Sequence, residues 1–140
     1  MNIQLRPSEL SDAERVADIL IDSRRAFLPF APLAHTEEEV LEWVREILLP
    51  SGGVTLAVEN HDIVGVLAIS QTDGVTWLDQ LYLDPEKIGR GIGTIMLENL
   101  LLTIPKPFRL YTFQENQGAR RFYERYGFQA IQFTGGENNE

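Results

Sequence analysis

The chain has 140 residues and a mass of 15.9 kDa, a length expected of one domain that buries about two-thirds of its unfolded surface without help from metal or disulfide. Its 12 basic and 21 acidic side chains leave a net charge of -9, which argues against a general nucleic-acid binder working by counterion displacement. With no cysteine in the chain, disulfide scaffolds, cysteine-zinc sites and thiol nucleophiles are excluded.

The segment Met1–Pro7 lacks the basic and apolar regions of a signal peptide, and no apolar run approaches the ~18 residues of a membrane span. A soluble, cytoplasmic protein with no membrane partner is therefore expected. Ile3–Arg6 reads as a short strand stopped by Pro7. A helix is expected from about Ser11 to Phe27, with Val16, Ile19, Leu20, Ser23 and Phe27 on one face. Pro29 and Pro32 then forbid regular helix in the apolar segment Leu28–Leu33. Thr36 and Glu39 form a capping box that opens a second helix. Its stripe Val40, Trp43, Val44, Ile47 and Leu48 is predicted to face inward.

Three strand-like segments follow, Val54–Glu59, Ile63–Gln71 and Val75–Leu83. The turn residues Asn60-His61-Asp62 and Thr72-Asp73-Gly74 between them predict an antiparallel meander. A helix from about Gly91 to Thr103 should bury Ile92, Ile95, Met96 and Leu100, and Pro105 follows its end. Phe108–Phe113 reads as a strand, and Asn116 caps a helix to Tyr126 with Gly127 as its stop. Phe128–Thr134 is the last predicted strand. The order β-α-α-β-β-β-α-β-α-β predicts a single α/β domain over residues 1–140, a mixed sheet covered by helices.

Charge is unevenly placed along this order. Residues 86–126 carry seven basic and four acidic side chains, whereas residues 1–60 carry 11 acidic and five basic ones and 61–85 only acidic ones. Such a split suits one region for an anion and another for a cation; solvated helix faces give the same pattern.

The basic stretch contains the turn Leu83-Asp84-Pro85-Glu86-Lys87-Ile88-Gly89-Arg90-Gly91-Ile92-Gly93-Thr94, which joins a strand to a helix through three alternating glycines. The backbone can curl there without Cβ obstruction and point several N–H groups at one spot. That spot lies at the positive end of a helix, an arrangement suited to phosphate. Lys87 and Arg90 add side-chain charge. A Walker A loop is absent, and the dinucleotide pattern G-x-G-x-x-G fails because Thr94 and Met96 stand where its last glycine would fall. A plain flexible connection is the competing interpretation.

Gly89-Arg90-Gly91-Ile92-Gly93, following Leu81-Tyr82-Leu83-Asp84-Pro85-Glu86, is similar to the acyl-CoA pyrophosphate loop of the GCN5-related N-acetyltransferases, the GNAT family. The stretch Asn116-Gln117-Gly118-Ala119-Arg120-Arg121-Phe122-Tyr123-Glu124-Arg125-Tyr126-Gly127-Phe128 resembles that family's second signature more fully, in its Asn, Ala, Phe-Tyr and Gly-Phe at matching spacing. The resemblance implies a mixed, mostly antiparallel twisted sheet with helices on both faces. It also implies acetyl-CoA as cosubstrate and an acetyltransferase activity on a primary amine. Two departures stand out. Ile88 occupies a position where the family usually has Gln or Arg, which implies weaker CoA binding. The family sheet also has one more strand after Phe128–Thr134, whereas here the polar tail Gly135–Glu140 follows. A shortened sequence, a strand from a partner and a member lacking the strand all fit.

Carried onto this sequence, the resemblance places the cofactor on the backbone of Leu81 and Leu83, on the loop Gly89, Arg90, Gly91, Ile92, Gly93 and Thr94, and on Asn116. Leu81 and Leu83 would bind the pantetheine arm like an added strand, with the Leu81 N–H near the thioester oxygen. Tyr123 is the candidate general acid for the leaving thiolate, since a phenol with a pKa near 10 holds its proton at neutral pH. Ala119, Phe122, Tyr123 and Tyr126 also form a helical stripe that fits a core, and the ring can pack while its hydroxyl reaches out. Asp79, grouped with Leu81 and Leu83 by the two-residue strand period, is the candidate base or cation attractor, with Glu115 a weaker one. His35 and His61 stand alone in turns, and no cluster has metal-ligand spacing, so no metal is expected.

The acceptor would be a small-molecule or peptide amine, walled by Arg24–Phe30 and by the aromatic rings of Phe27, Phe30 and Trp77. The acidic first 85 residues favour a cationic acceptor. The same aromatics would serve equally as core or as homodimer contacts. A non-catalytic acyl-CoA-binding module on the same fold is the alternative to an enzyme, supported by Ile88 and by the uncertain base.

Overall fold

The computed structural model describes residues 2–27, 35–104, 107–110 and 117–129. Strand β1 (Ile3–Pro7) leads through a short 3-10 turn (Leu10–Asp12) into helix α1 (Ala13–Phe27). Helix α2 (Glu37–Trp43) begins at Thr36, whose side chain accepts from the Glu39 N–H at 3.1 Å while the Glu39 carboxylate accepts from the Thr36 N–H at 2.8 Å. The capping box predicted from Thr36 and Glu39 is therefore formed, and it satisfies two donors that would otherwise be orphaned at the helix start.

Helix α2 does not continue as expected. Over Val44–Leu48 it widens into a π-turn, closed by the Leu49 N–H donating to the Val44 carbonyl. The i→i+5 pairing adds a residue to the turn and rotates the next side chains about the helix axis. Val44, Leu48 and Leu49 are buried in consequence, whereas Trp43 is 39% exposed and Ile47 59% exposed. The inward stripe predicted for Trp43 and Ile47 is corrected at these two positions, because the 3.6-residue period does not hold through the π-turn.

The meander forms as predicted, with β2 (Val54–Glu59), β3 (Asp62–Thr72) and β4 (Val75–Leu83) pairing antiparallel, and β1 pairing antiparallel with β2. Helix α3 (Ile92–Thr103) crosses to β5 (Phe108–Leu110), which lies parallel to β4 and completes the order β1-β2-β3-β4-β5. Helix α4 (Gln117–Arg125) follows, and Gly127 stands beyond its end at φ 90°. The expected strand Phe128–Thr134 lies outside the described residues from position 130 onward, as do Leu28–Leu33, residues 111–116 and the tail.

Side chains from β2 and β3 alternate between two cores. Val54, Leu56, Val66 and Ala68 pack with Val16, Ile19, Leu20, Val44 and Leu48 of α1 and α2. Ala57, Leu67 and Leu78 pack on the opposite face with Ile92, Met96, Leu97 and Leu100 of α3, joined by Phe122 and Tyr123 of α4. Helices thus cover both faces of a mixed sheet. Leu97 takes the fully buried place expected of Ile95, which is only half-buried. Among the described residues no helix is long and apolar enough to cross a membrane.

Candidate active site

Of the predicted site residues, Leu81, Leu83, Ile92, Gly93 and Tyr123 come together where β4 ends and α3 begins. Gly91 caps α3 from the left-handed region, φ 85° and ψ 9°, and Gly89 lies at φ 84°. Only glycine adopts this conformation without a Cβ penalty. Among the described residues, and apart from each glycine's own chain neighbours, no heavy atom lies within 4 Å of where a Cβ would stand at either glycine. The first-turn N–H groups of α3, at Ile92, Gly93 and Thr94, have no intrahelical acceptor. An exposed glycine cap, open space above it and free donors at the positive end of a twelve-residue helix suit an anionic group.

The two cations expected to assist there point elsewhere. Arg90 donates from both terminal nitrogens to the Glu59 carboxylate, at 3.1 Å to Oε1 and 2.7 Å to Oε2. Lys87 Nζ stands 3.7 Å from the same Oε1. The Glu59 side chain is 10% exposed, so a nearly buried carboxylate takes both charges. Sequence inspection misses Glu59, because 31 residues separate it from Arg90. Only its place at the last position of a strand, before the Asn60-His61 turn, marks it.

Gly93 joins three elements. A Cβ placed on it would lie 3.6 Å from Leu83 Cδ1 and 3.7 Å from Phe122 Cζ. The end of β4, the start of α3 and the Phe122-Tyr123 pair of α4 are therefore in contact. Leu81, Leu83, Ile92, Phe122 and Tyr123 all belong to one apolar cluster. Tyr123 packs edge-on against Phe122 with centroids 5.3 Å apart, and against Phe128 at 5.8 Å. Burial raises its pKa well above the ordinary phenol value, and the nearby Tyr82 phenol raises it further. A hydroxyl so placed remains a proton donor at neutral pH. Burial raises Tyr82 too, tempered by the charge of Arg24 and a hydrogen bond from it. Arg24 belongs to α1 and is buried. Tyr82 and Arg24 are neighbours of the site that linear spacing does not expose.

Asp79 sits apart from this cluster. Ala68 pairs with Gln80 and Ile69 with Leu78, so Asp79 is the extra residue of a β-bulge on β4. The two-residue period that groups Asp79 with Leu81 and Leu83 is interrupted there: Leu78 and Leu81, three positions apart, contact the same core. The Asp79 side chain is exposed. Asn116, Glu115 and Phe30 lie outside the described residues.

The end of β4, the glycine-capped start of α3 and the packed Tyr123 helix thus share one place in a bulged, mixed sheet. Residues 14–128 match the model of the Acetyltransferase (GNAT) family, and the chain belongs to that family of acetyltransferases. It is 29% identical over 132 residues to the peptidyl-lysine N-acetyltransferase YjaB of Salmonella typhimurium, covering 91% of this chain and 84% of that one. It is 34% identical over 62 residues to the spermine/spermidine N(1)-acetyltransferase of Bacillus subtilis, a match covering 41% of each chain. In fold it resembles the PaiA N-acetyltransferase of Thermoplasma acidophilum, solved in complex with coenzyme A, with a TM-score of 0.79 and 22% identity over 96% of this chain and 94% of that one.

Proposed function

We propose that this acetyltransferase moves an acetyl group from acetyl-CoA to a primary amine of a small molecule or a peptide. The observation that carries the proposal is the meeting of Leu83, Gly93 and Phe122, which brings a strand end, an anion-binding helix start and the Tyr123 helix to one place. In this reading the pyrophosphate rests on the backbone of Gly89–Thr94. The backbone of Leu81 and Leu83 holds the pantetheine arm, and Asn116 contributes to cofactor binding. The amine attacks the thioester carbon, its proton passes to water or to Asp79, and the C–S bond breaks as Tyr123 gives its proton to the leaving sulfur. Peptidyl-lysine and spermine, named for the two relatives, both offer primary amines. A cationic acceptor also suits the acidic character of residues 1–85.

The test is release of free CoA thiol from acetyl-CoA across polyamines, lysine peptides, amino acids and aminoglycosides. Turnover with at least one amine is expected. Binding of CoA without turnover on any of them would instead favour a binding module. In Gly91→Val the left-handed cap is strained by about 1–2 kcal/mol, so the KM for acetyl-CoA should rise. An unchanged KM would remove the loop from the cofactor site.

A further inference from the structure

The ion pair beneath the glycine loop has a use that neither partner's sequence position suggests. Glu59 ends β2 and its carboxylate is nearly buried, yet it is satisfied by a two-pronged contact from Arg90 and by Lys87 nearby. Arg90 stands between Gly89 and Gly91, both in the left-handed region. Two glycines flanking one residue give this segment much backbone freedom to lose. A guanidinium fixed through two parallel hydrogen bonds holds its own backbone in orientation as well as in place. Moving Arg90 to a phosphate would leave Glu59 covered with only Lys87, 3.7 Å away, and a buried carboxylate that loses its main partner is costly.

We infer that Glu59 is a positioning residue for cofactor binding: through Arg90 it holds Gly89–Gly91 in the conformation that presents the N–H groups of α3, and the Arg90 side chain itself is not a phosphate ligand. This rests on the acetyl-CoA reading above. It makes the loop nearly neutral in side-chain charge, because Asp84, Glu86 and Glu59 balance Lys87, Arg90 and the Arg15 that pairs with Asp84. Affinity then comes from backbone dipoles already in place, so little ordering remains to be done on binding.

The experiment measures kcat and both KM values for wild type, Glu59→Gln, Arg90→Gln and the double variant, with melting temperatures alongside. Each single variant is expected to raise the KM for acetyl-CoA about ten-fold, the equivalent of one loosened contact set, while the KM for the amine stays within about two-fold. The double variant should be no worse than either single one, since both remove the same clamp. An acetyl-CoA KM that is unchanged or lower in Glu59→Gln but higher in Arg90→Gln would overturn the inference and make Arg90 a phosphate ligand. Loss confined to kcat and melting temperature would overturn it too, reducing Glu59 to a support of the fold. Should Glu59→Gln fail to fold, Arg90→Gln with Glu59→Asp gives the same comparison, the shorter carboxylate being expected to restore part of the affinity. A wild-type protein that neither binds CoA nor releases thiol from acetyl-CoA would instead refute the acetyl-CoA reading, and the inference with it.

Discussion

Arg15 of α1 reaches Asp84 at the end of β4, its Nη2 lying 2.8 Å from Oδ2, and so ties the first helix to the residue where the glycine loop begins. The same guanidinium donates through Nε to the Ile63 carbonyl at 3.1 Å and to Asp62 Oδ1 at 3.2 Å. Asp84 also accepts from the Glu86 N–H at 3.0 Å, while its own N–H donates to the Val64 carbonyl at 2.9 Å. The loop is thus anchored at its start by α1 and near its end by Glu59.

Arg15→Ala leaves the Asp84 side chain, 15% exposed, without its cation. A loss of about 1–2 kcal/mol is expected, and in a chain this long that lowers the midpoint by roughly 3–8 °C. Calorimetry measures it directly, and an unmoved midpoint would show that the pair adds nothing to stability.

Tyr123→Phe keeps the ring and its packing on Phe122 and Phe128 but removes the hydroxyl. A kcat lower by about 10²-fold is expected from losing a general acid, with the KM for acetyl-CoA within about two-fold. Because burial keeps the phenol protonated beyond its ordinary range, the wild-type kcat should show no falling limb from this group below about pH 10. Steady-state kinetics decide both points, and an undiminished kcat removes Tyr123 from the mechanism.

Arg6 holds the Asp12 carboxylate through two bonds, 2.9 Å to Oδ2 and 3.0 Å to Oδ1, and the Glu9 N–H donates to Oδ2 at 2.7 Å. The Arg6 hydrogen bond, helped by the Glu9 N–H and opposed by burial, lowers the Asp12 pKa below the ordinary carboxylate value. A depressed carboxylate contributes stability that is present above the unfolded pKa and lost as pH falls through the folded one. Asp12→Asn should therefore cost about 1 kcal/mol at pH 7, discounted for the exposed side of Arg6. The cost should shrink as pH falls below about 4. Urea denaturation of both proteins at several pH values tests the convergence.

The π-turn makes opposite predictions for neighbouring residues. Val44→Ala, at a position with no exposure, should cost about 2 kcal/mol. Ile47→Gln, at 59% exposed, should stay within about 0.5 kcal/mol. Equal losses at the two positions would mean that the helix keeps its regular period in solution.

The meander, the capping box at Thr36, the glycine turn before α3 and the stop at Gly127 were legible in the chain because each depends on residues a few positions apart. Local sterics, turn chemistry and two- or four-residue periods act over that range, and they sufficed to locate the glycine loop, whereas Tyr123 stood out only through the resemblance of Asn116–Phe128 to the family's second signature. The phase of α2 beyond Val44 and the bulge at Asp79 were not legible, since each is an irregularity that packing against the sheet imposes on a local period. The partners of Arg90, Lys87 and Arg15 were hidden for a different reason. Charge in a sequence is a sum, and only the antiparallel return of β2 and the crossing of α1 decide which carboxylate each cation meets. The net charge of -9 excluded a class of partners from the start. The basic stretch around the loop, by contrast, had two of its cations, Lys87 and Arg90, drawn to a carboxylate only when the fold set Glu59 beside them.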